Sequence, residues 1–199
     1  MKSCIDFYDD DAIHWANEWY TNDSMMPFLK EFLNYIHKPK ARILDLCCGC
    51  GYESMRLASL GADVVGADLS EKSLNIAREK NPKISFYKKD MLESYADLGE
   101  FDGIACIAGI IHIEENKLER VFQNMDEVLN DDGYLLLVFK TGGMNKQTIE
   151  LNGEVYARNF IYHTKTELNK HCKNYFNFVK DLTPSIDNSG WKFYIYKKK

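Results

Sequence analysis

Residues 41–51 read Ala-Arg-Ile-Leu-Asp-Leu-Cys-Cys-Gly-Cys-Gly, and in the nine residues that follow, Met55, Leu57, Ala58 and Leu60 fall on one side of a helical wheel. A short apolar run that ends in glycines and gives way to helical periodicity predicts a strand, a tight turn and a helix over 52–60. The next apolar run, Asp-Val-Val-Gly-Ala-Asp-Leu at 63–69, reads as a second strand. Two strands joined through a helix lie parallel, because only a crossover of that length brings the chain back in the same direction. The stretch therefore decides for an α/β architecture with a parallel sheet.

The same alternation extends along the chain. Ser70 reads as a helix N-cap with Ser73 on the first turn; Leu74, Ile76 and Ala77 follow, and Pro82 stops the helix. Residues 83–89 form a third strand with Ile84 and Phe86 on one face, and 101–108 a fourth. Over 116–129, Leu118, Val121, Phe122, Met125, Val128 and Leu129 recur at helical spacing. Asp131-Asp-Gly133 reads as a turn, and 134–139, apolar throughout, as a fifth strand buried on both faces. A short helix is expected over 164–174. Two further strands, 175–182 and 191–196, are separated by a loop (183–190) too short for a crossover helix, so the sheet ends in an antiparallel pair. The first 35 residues interleave Trp15, Trp19, Tyr20, Phe28, Phe32 and Tyr35 with acids. They read as two helices joined near 22–27, a cap (1–35) on the main domain (36–199). That cap is either a lid over the strand ends or a segment docked by ordinary aromatic packing.

A chain of 199 residues with 45% hydrophobic and 28% charged residues is expected to form one domain with a substantial core. Twenty-five basic against thirty acidic residues leave a formal charge of −5, without the basic surplus that phosphate backbones attract, so no nucleic-acid partner is expected. The longest mainly apolar stretch, 104–113, is far short of the roughly 20 residues of a membrane span, so no membrane association is expected. Cysteines 4, 47, 48, 50, 106 and 172 are clustered rather than spaced as staples, and no apolar run precedes the acids at 9–11. A reduced, cytoplasmic protein, monomer or homodimer, is the expectation.

The chemistry gathers at the turn. Gly49 and Gly51 let backbone approach a ligand, and the helix start beyond them offers unpaired N–H groups. Asp68 ends the second strand nineteen residues after Gly49, near the roughly 20 expected of an acid that binds ribose hydroxyls. The dinucleotide fingerprint wants a third small residue, where Ser54 stands here. Asp45 would repel a pyrophosphate but attract an ammonium. S-adenosylmethionine, with an ammonium, a sulfonium and no phosphate, is thus favoured over NAD. Cys47-x-x-Cys50 is half of a zinc site or a redox pair, but no second such motif exists, and no metal is expected.

Ile-Leu-Asp-Leu-Cys-Cys-Gly-Cys-Gly (43–51), Val-Val-Gly-Ala-Asp-Leu-Ser (64–70), Lys-Asp-Met (89–91) and Phe-Asp-Gly-Ile-Ala-Cys (101–106), in that order, resemble the successive motifs of class I S-adenosylmethionine-dependent methyltransferases, above all the small-molecule, type-11-like group. The resemblance implies a doubly wound, mostly parallel seven-stranded sheet in the order 3-2-1-4-5-7-6, with strand 7 antiparallel. It places Gly49 and Gly51 along the methionine part of the cofactor, Asp68 on the ribose, Leu69 and Met91 against adenine, Asp90 on the adenine amino group and Ile107 at the methionine end. Asp45, Cys50 and Tyr20 complete the implied cofactor set. The segment 7–15 is similar to the leading helix that closes over the cofactor, with Trp15 where Tyr is common.

Methyl transfer from a sulfonium needs chiefly in-line positioning; a base is required only where the acceptor must lose a proton. His112, in Gly-Ile-Ile-His-Ile (109–113), is the candidate catalytic residue, as proton acceptor or as a group that shapes the pocket. No Asn-Pro-Pro-Tyr or Pro-Cys follows the fourth strand, so the resemblance does not extend to nitrogen methylases of bases and amides or to cytosine-C5 enzymes. Residues 156–162 with Arg158, and 175–178, are candidates for an aromatic acceptor pocket. The expected activity is methylation of a small molecule; a non-catalytic S-adenosylmethionine-binding regulator and an NAD-dependent oxidoreductase are the alternatives.

Overall fold

A computed structural model describes residues 1–142, 144–185 and 189–199, and no side chain at 144–147 or 159. Positions 186–188 of the expected 183–190 loop lie outside the described residues. The elements are α1 (Cys4–Asp10), α2 (Ala12–Trp19), α3 (Met26–Ile36), β1 (Arg42–Leu46), α4 (Tyr52–Ser59), β2 (Asp63–Asp68), α5 (Glu71–Lys80), β3 (Ser85–Lys88), β4 (Phe101–Ile107), α6 (Leu118–Val128), β5 (Leu129–Lys140), β6 (Met144–Leu151), β7 (Glu154–Ile161), α7 (Lys165–Cys172), β8 (Phe176–Asp181) and β9 (Trp191–Lys198).

Seven strands form one sheet in the order β3-β2-β1-β4-β5-β9-β8, and β6 and β7 form a separate pair. β1 to β5 run parallel, while β9 lies antiparallel to both β5 and β8. Counted within the sheet alone, the order is the expected 3-2-1-4-5-7-6. Alternation along the strands assigns the faces. Ile43, Val64 and Ala105 meet Leu29 and Phe32 of α3 and Leu57 of α4. Leu44, Leu46, Val65, Ala67, Ile104 and Cys106 meet Leu118, Val121, Phe122 and Met125 of α6 and Leu168 of α7. Gly103 makes the α3 contact possible, since a Cβ there would stand 2.7 Å from the Phe32 ring.

Three features differ from the sequence reading. The N-terminal segment holds three helices, not two. Asp131-Asp-Gly133 is not a turn between elements but a bulge within β5: the pairing jumps from Phe101↔Leu129 to Gly103↔Tyr134, so β5 carries the extra residues outward. The β6–β7 hairpin was not expected. Its turn is Asn152-Gly153, both at positive φ (53° and 79°), the conformation a two-residue hairpin loop requires. Among the described residues, no helix is long and apolar enough to cross a membrane.

Candidate functional site

The turn 47–51 is held by backbone bonds from the neighbouring strand. Cys47 and Cys48 N–H groups both donate to the Ala67 carbonyl (2.8 and 3.0 Å), and Gly51 N–H closes on Cys48 (2.9 Å). Cys47, Gly49 and Gly51 all have positive φ (64°, 52° and 81°). Asp68 spans the gap between β1 and β2: one carboxylate oxygen accepts from Gly49 N–H and the other from Ser70 N–H, each at 2.8 Å. Ser70 caps α5 as read from the sequence, its side chain accepting from Ser73 N–H.

The two glycines do different work. A Cβ on Gly49 would meet nothing nearer than the Tyr52 hydroxyl, an ordinary contact 3.8 Å away, so its bare face is uncrowded. A Cβ on Gly51 would stand 2.9 Å from both the Ala77 methyl and the Phe86 ring, so Gly51 faces the packing of α5 and β3. Cys50 is buried, its thiol donating to the Ala12 carbonyl (3.3 Å). Tyr20 braces the same turn from behind, donating to the Cys50 carbonyl and accepting from Asn81, both at 2.7 Å.

Asp45 is 1% exposed and accepts from Ser54 Oγ at 2.5 Å. Burial, with the Asp68 charge adding to it, pushes its carboxyl up to about 7. Asp68 is likewise raised by burial, against the pull of its backbone donors. Leu69 and Asp90 follow the carboxyl ends of β2 and β3, and Ile107 ends β4, so the adjacent strands β3, β2, β1 and β4 bring them to one edge. Asp90 accepts from Leu92 N–H at 2.9 Å. Met91 is buried in the core cluster under α6.

This donor set fits S-adenosylmethionine. The turn has an uncrowded backbone face at Gly49, two carboxylates (Asp45 and Asp68) suited to an ammonium and a ribose diol, and no phosphate-binding cation among the contacts described. Asp45, Gly49, Asp68, Leu69, Asp90 and Ile107 would hold it, with Gly51, Cys50, Tyr20 and Met91 shaping the turn and floor from behind.

Above this edge, α1 bridges the sheet and the hairpin. Asp9 accepts from Ser70 Oγ and from Lys72 N–H (3.2 Å). Asp10 accepts from Lys72 (2.6 Å), Tyr156 (2.7 Å) and Lys2 (3.2 Å), chiefly the first, and these bonds hold its carboxyl well below the ordinary range. Lys2 pairs its backbone with Val155 and Ala157 of β7.

Under this roof lies a cluster that only the fold assembles. His112 closes a short turn after β4, and its Nε2 lies 3.1 Å from the Tyr8 hydroxyl. The Cys4 thiol stands 3.7 Å from its Nδ1. Burial pushes the Tyr8 phenol up to about 12, so it stays protonated at neutral pH. Arg158 donates to the same hydroxyl at 3.2 Å. The aromatic pocket expected from 156–162 and 175–178 therefore divides. Arg158 and Phe160 join His112, whereas Phe176 packs on Phe122, and Phe178 on Tyr194 and Tyr196. Tyr8 was missed as an individual residue; its only signal was its place in the leading helix. Among the described residues, no group of three or more His, Cys, Asp or Glu is placed to hold a metal ion.

A seven-stranded sheet of this order, with a glycine turn and a ribose-type acid at adjacent strand ends, defines a class I S-adenosylmethionine-dependent methyltransferase fold. Residues 43–133, β1 through the bulge of β5, match the family model of a methyltransferase domain. The chain is 38% identical over 113 residues to a ubiquinone biosynthesis O-methyltransferase of Aromatoleum aromaticum, covering 50% of this chain and 48% of that one. It is 33% identical over 89 residues to a magnesium-protoporphyrin O-methyltransferase of Rhodobacter capsulatus, covering 42% and 39%. These matches thus span less than half the length of either relative. The crystal structure of a TehB-like SAM-dependent methyltransferase of Corynebacterium glutamicum superposes with a TM-score of 0.75 over 98% of this chain and 99% of that one, at 19% identity. Over residues 43–133 the chain is thus similar to methyltransferase domains, and its sheet has the fold of the class I S-adenosylmethionine-dependent methyltransferases.

Proposed function

We propose that the protein methylates a small molecule held between the strand ends and the roof of α1, α2 and the β6–β7 hairpin, without a metal ion. The observation that carries this reading is the pairing of two half-sites. One is the uncrowded Gly49 face with Asp68; the other is the roofed Tyr8–His112–Arg158 cluster on the loop after β4. When bound, S-adenosylmethionine supplies a methyl group on a sulfonium whose departure leaves a neutral thioether. The chain's contribution is then orientation and exclusion of water. Asp68 provides negative charge for a cationic cofactor, and Asp45, raised to about 7 by burial, adds to it in its ionised form. Ile110, Ile111 and Ile113 are buried beside His112, so the acceptor wall sets a small polar group, His112 with Tyr8 and Arg158, against apolar neighbours. His112, hydrogen-bonded to a neutral phenol, orients the acceptor or takes its proton. A small acceptor is supported by the formal charge of −5 and by two relatives whose names specify quinone and porphyrin chemistry.

The test is release of S-adenosylhomocysteine from S-adenosylmethionine across a panel of small phenols, acids and amines. Calorimetric titration with S-adenosylmethionine and with NADH runs beside it. Turnover with at least one acceptor, unchanged by EDTA, is expected. Tight binding with no turnover would overturn catalysis in favour of a regulatory role. NADH binding in place of S-adenosylmethionine would overturn the cofactor, and an EDTA loss restored by zinc would overturn the metal-free reading.

A further inference from the structure

Arg158 is an unusual cation for the underside of a lid. Its guanidinium carbon lies 4.6 Å from the ring centre of Phe160, 4.8 Å from Phe7, 5.0 Å from Trp15 and 5.3 Å from Tyr8. One terminal nitrogen donates to the Tyr8 hydroxyl, and its Nε is buried without a partner. Trp15 Nε1, in the same enclosure, is also buried and unpartnered. Among the described residues no carboxylate pairs with Arg158. The acids of α1 that face the hairpin and α5 are engaged with Ser70, Lys72, Lys2 and Tyr156. Aromatic faces attract a guanidinium but do not neutralise it. A partly buried cation without a counter-charge, with an idle donor beside it, is the expected state of a site whose anion arrives with the ligand.

We propose that Arg158 anchors a carboxylate carried by the methyl acceptor, so that the substrate is a small organic acid with an aromatic or apolar body. The proposal rests on the methyltransferase reading and names the substrate class of that site. A single permanent positive charge in the cluster of Cys4, Phe7, Tyr8, Trp15, His112 and Phe160 matches a monoanion, whereas a phosphate dianion would call for a second. The planar fork fits a carboxylate with two parallel bonds, and the rings around it supply the surface for an apolar body. The cofactor carries a carboxylate too. However, the bonds and ring contacts of Arg158 come from α1, α2 and β7, none from the 47–51 turn or Asp68, and through Tyr8 they lead to His112 on the acceptor side.

The experiment titrates the protein calorimetrically, with and without saturating S-adenosylhomocysteine, with three matched pairs: benzoate and benzamide, phenylacetate and phenylacetamide, 3-phenylpropionate and its amide. At least one acid is expected to bind about tenfold or more tighter than its amide, and R158Q to erase that preference. R158K, which keeps the charge and loses the fork, is expected to weaken the acid more than the amide. It serves as the deciding variant if R158Q does not fold. Three results would overturn the proposal: no acid preferred by the wild type, a preference that survives in R158Q, or equal losses for acid and amide in R158K. A fourth is weakened binding of S-adenosylhomocysteine in R158Q with 5′-methylthioadenosine unaffected, which would assign Arg158 to the cofactor's own carboxylate. Failure of the methyltransferase reading shows separately, as absent S-adenosylhomocysteine binding, while the acid–amide comparison without it still reports on Arg158.

Discussion

Replacing Gly51 by alanine is expected to destabilise the fold through a contact remote from the ligand face of the turn. Gly51 starts α4 at φ 81°, where an L side chain costs roughly 1–2 kcal/mol. The added methyl would lie 2.9 Å from Ala77 Cβ and from the Phe86 ring. Phe86 has little room to retreat, because its other side fills the space left bare by Gly66, whose own Cβ would come within 2.3 Å of the ring. Overpacking of this kind costs roughly 1–3 kcal/mol, so the total is roughly 2–5 kcal/mol. Gly61 is the internal control: it has a comparable φ of 96° and nothing within 4 Å of a built Cβ, so Gly61→Ala isolates the backbone contribution. Urea unfolding followed by tryptophan fluorescence gives both values, and the difference between the variants measures the crowding. Equal losses in the two variants would refute the claim that Phe86 is wedged between two glycines. So would a Gly51→Ala protein of full stability that fails only to bind S-adenosylmethionine, which would return Gly51 to the ligand face.

Three further outcomes are expected. Asp68→Asn should weaken S-adenosylmethionine by about 10- to 150-fold, the equivalent of roughly 1.5–3 kcal/mol, since an amide cannot replace a carboxylate that accepts on both oxygens; calorimetry checks it, and unchanged affinity would remove Asp68 from the site. Asp45, raised from 3.8 to about 7, binds more protons folded than unfolded between those values, so its contribution is full below about pH 4 and is lost as pH rises through 7. Asp45→Asn should therefore flatten the fall in unfolding free energy between about pH 4 and about 7.5, by at most roughly 4 kcal/mol, and a slope identical to wild type would contradict the burial argument. His112→Gln should act mainly on KM with a flat pH profile, because the Tyr8 hydroxyl already occupies the reach of Nε2; a loss in kcat of about 10²-fold or more with one ionisation would establish a base instead.

The parts of this molecule that were legible in sequence are those encoded within one βα unit. The Gly49–Asp68 bond joins residues nineteen positions apart on adjacent strands, so spacing alone announces it. The Ser70 cap and the apolar face of α6 are equally local. What escaped is what joins distant segments or lacks an apolar signature. The β6–β7 pair carries Asn152-Gly153, a strong hairpin signal. Its flanks, Thr-Ile-Glu-Leu and Glu-Val-Tyr-Ala-Arg, bury little beyond Tyr156, so the alternation that marks a half-buried strand is faint. The N-terminal segment showed its aromatics but not their partition: Phe32 belongs to the core over Gly103, Trp15 to the enclosure around Arg158. Tyr8 and His112 are 104 residues apart, Tyr8 and Arg158 150, and no local pattern marks either pair. The division has a physical origin. In the site proposed above the cofactor would be gripped by backbone at strand ends, and backbone geometry leaves glycines and caps in the sequence. The acceptor would be met by side chains from elements added outside the sheet, where a tyrosine or arginine looks like any other surface residue until the chain folds. Hence the reaction class could be read before the substrate, and the substrate is to be sought in the elements that the family model, ending at residue 133, does not reach.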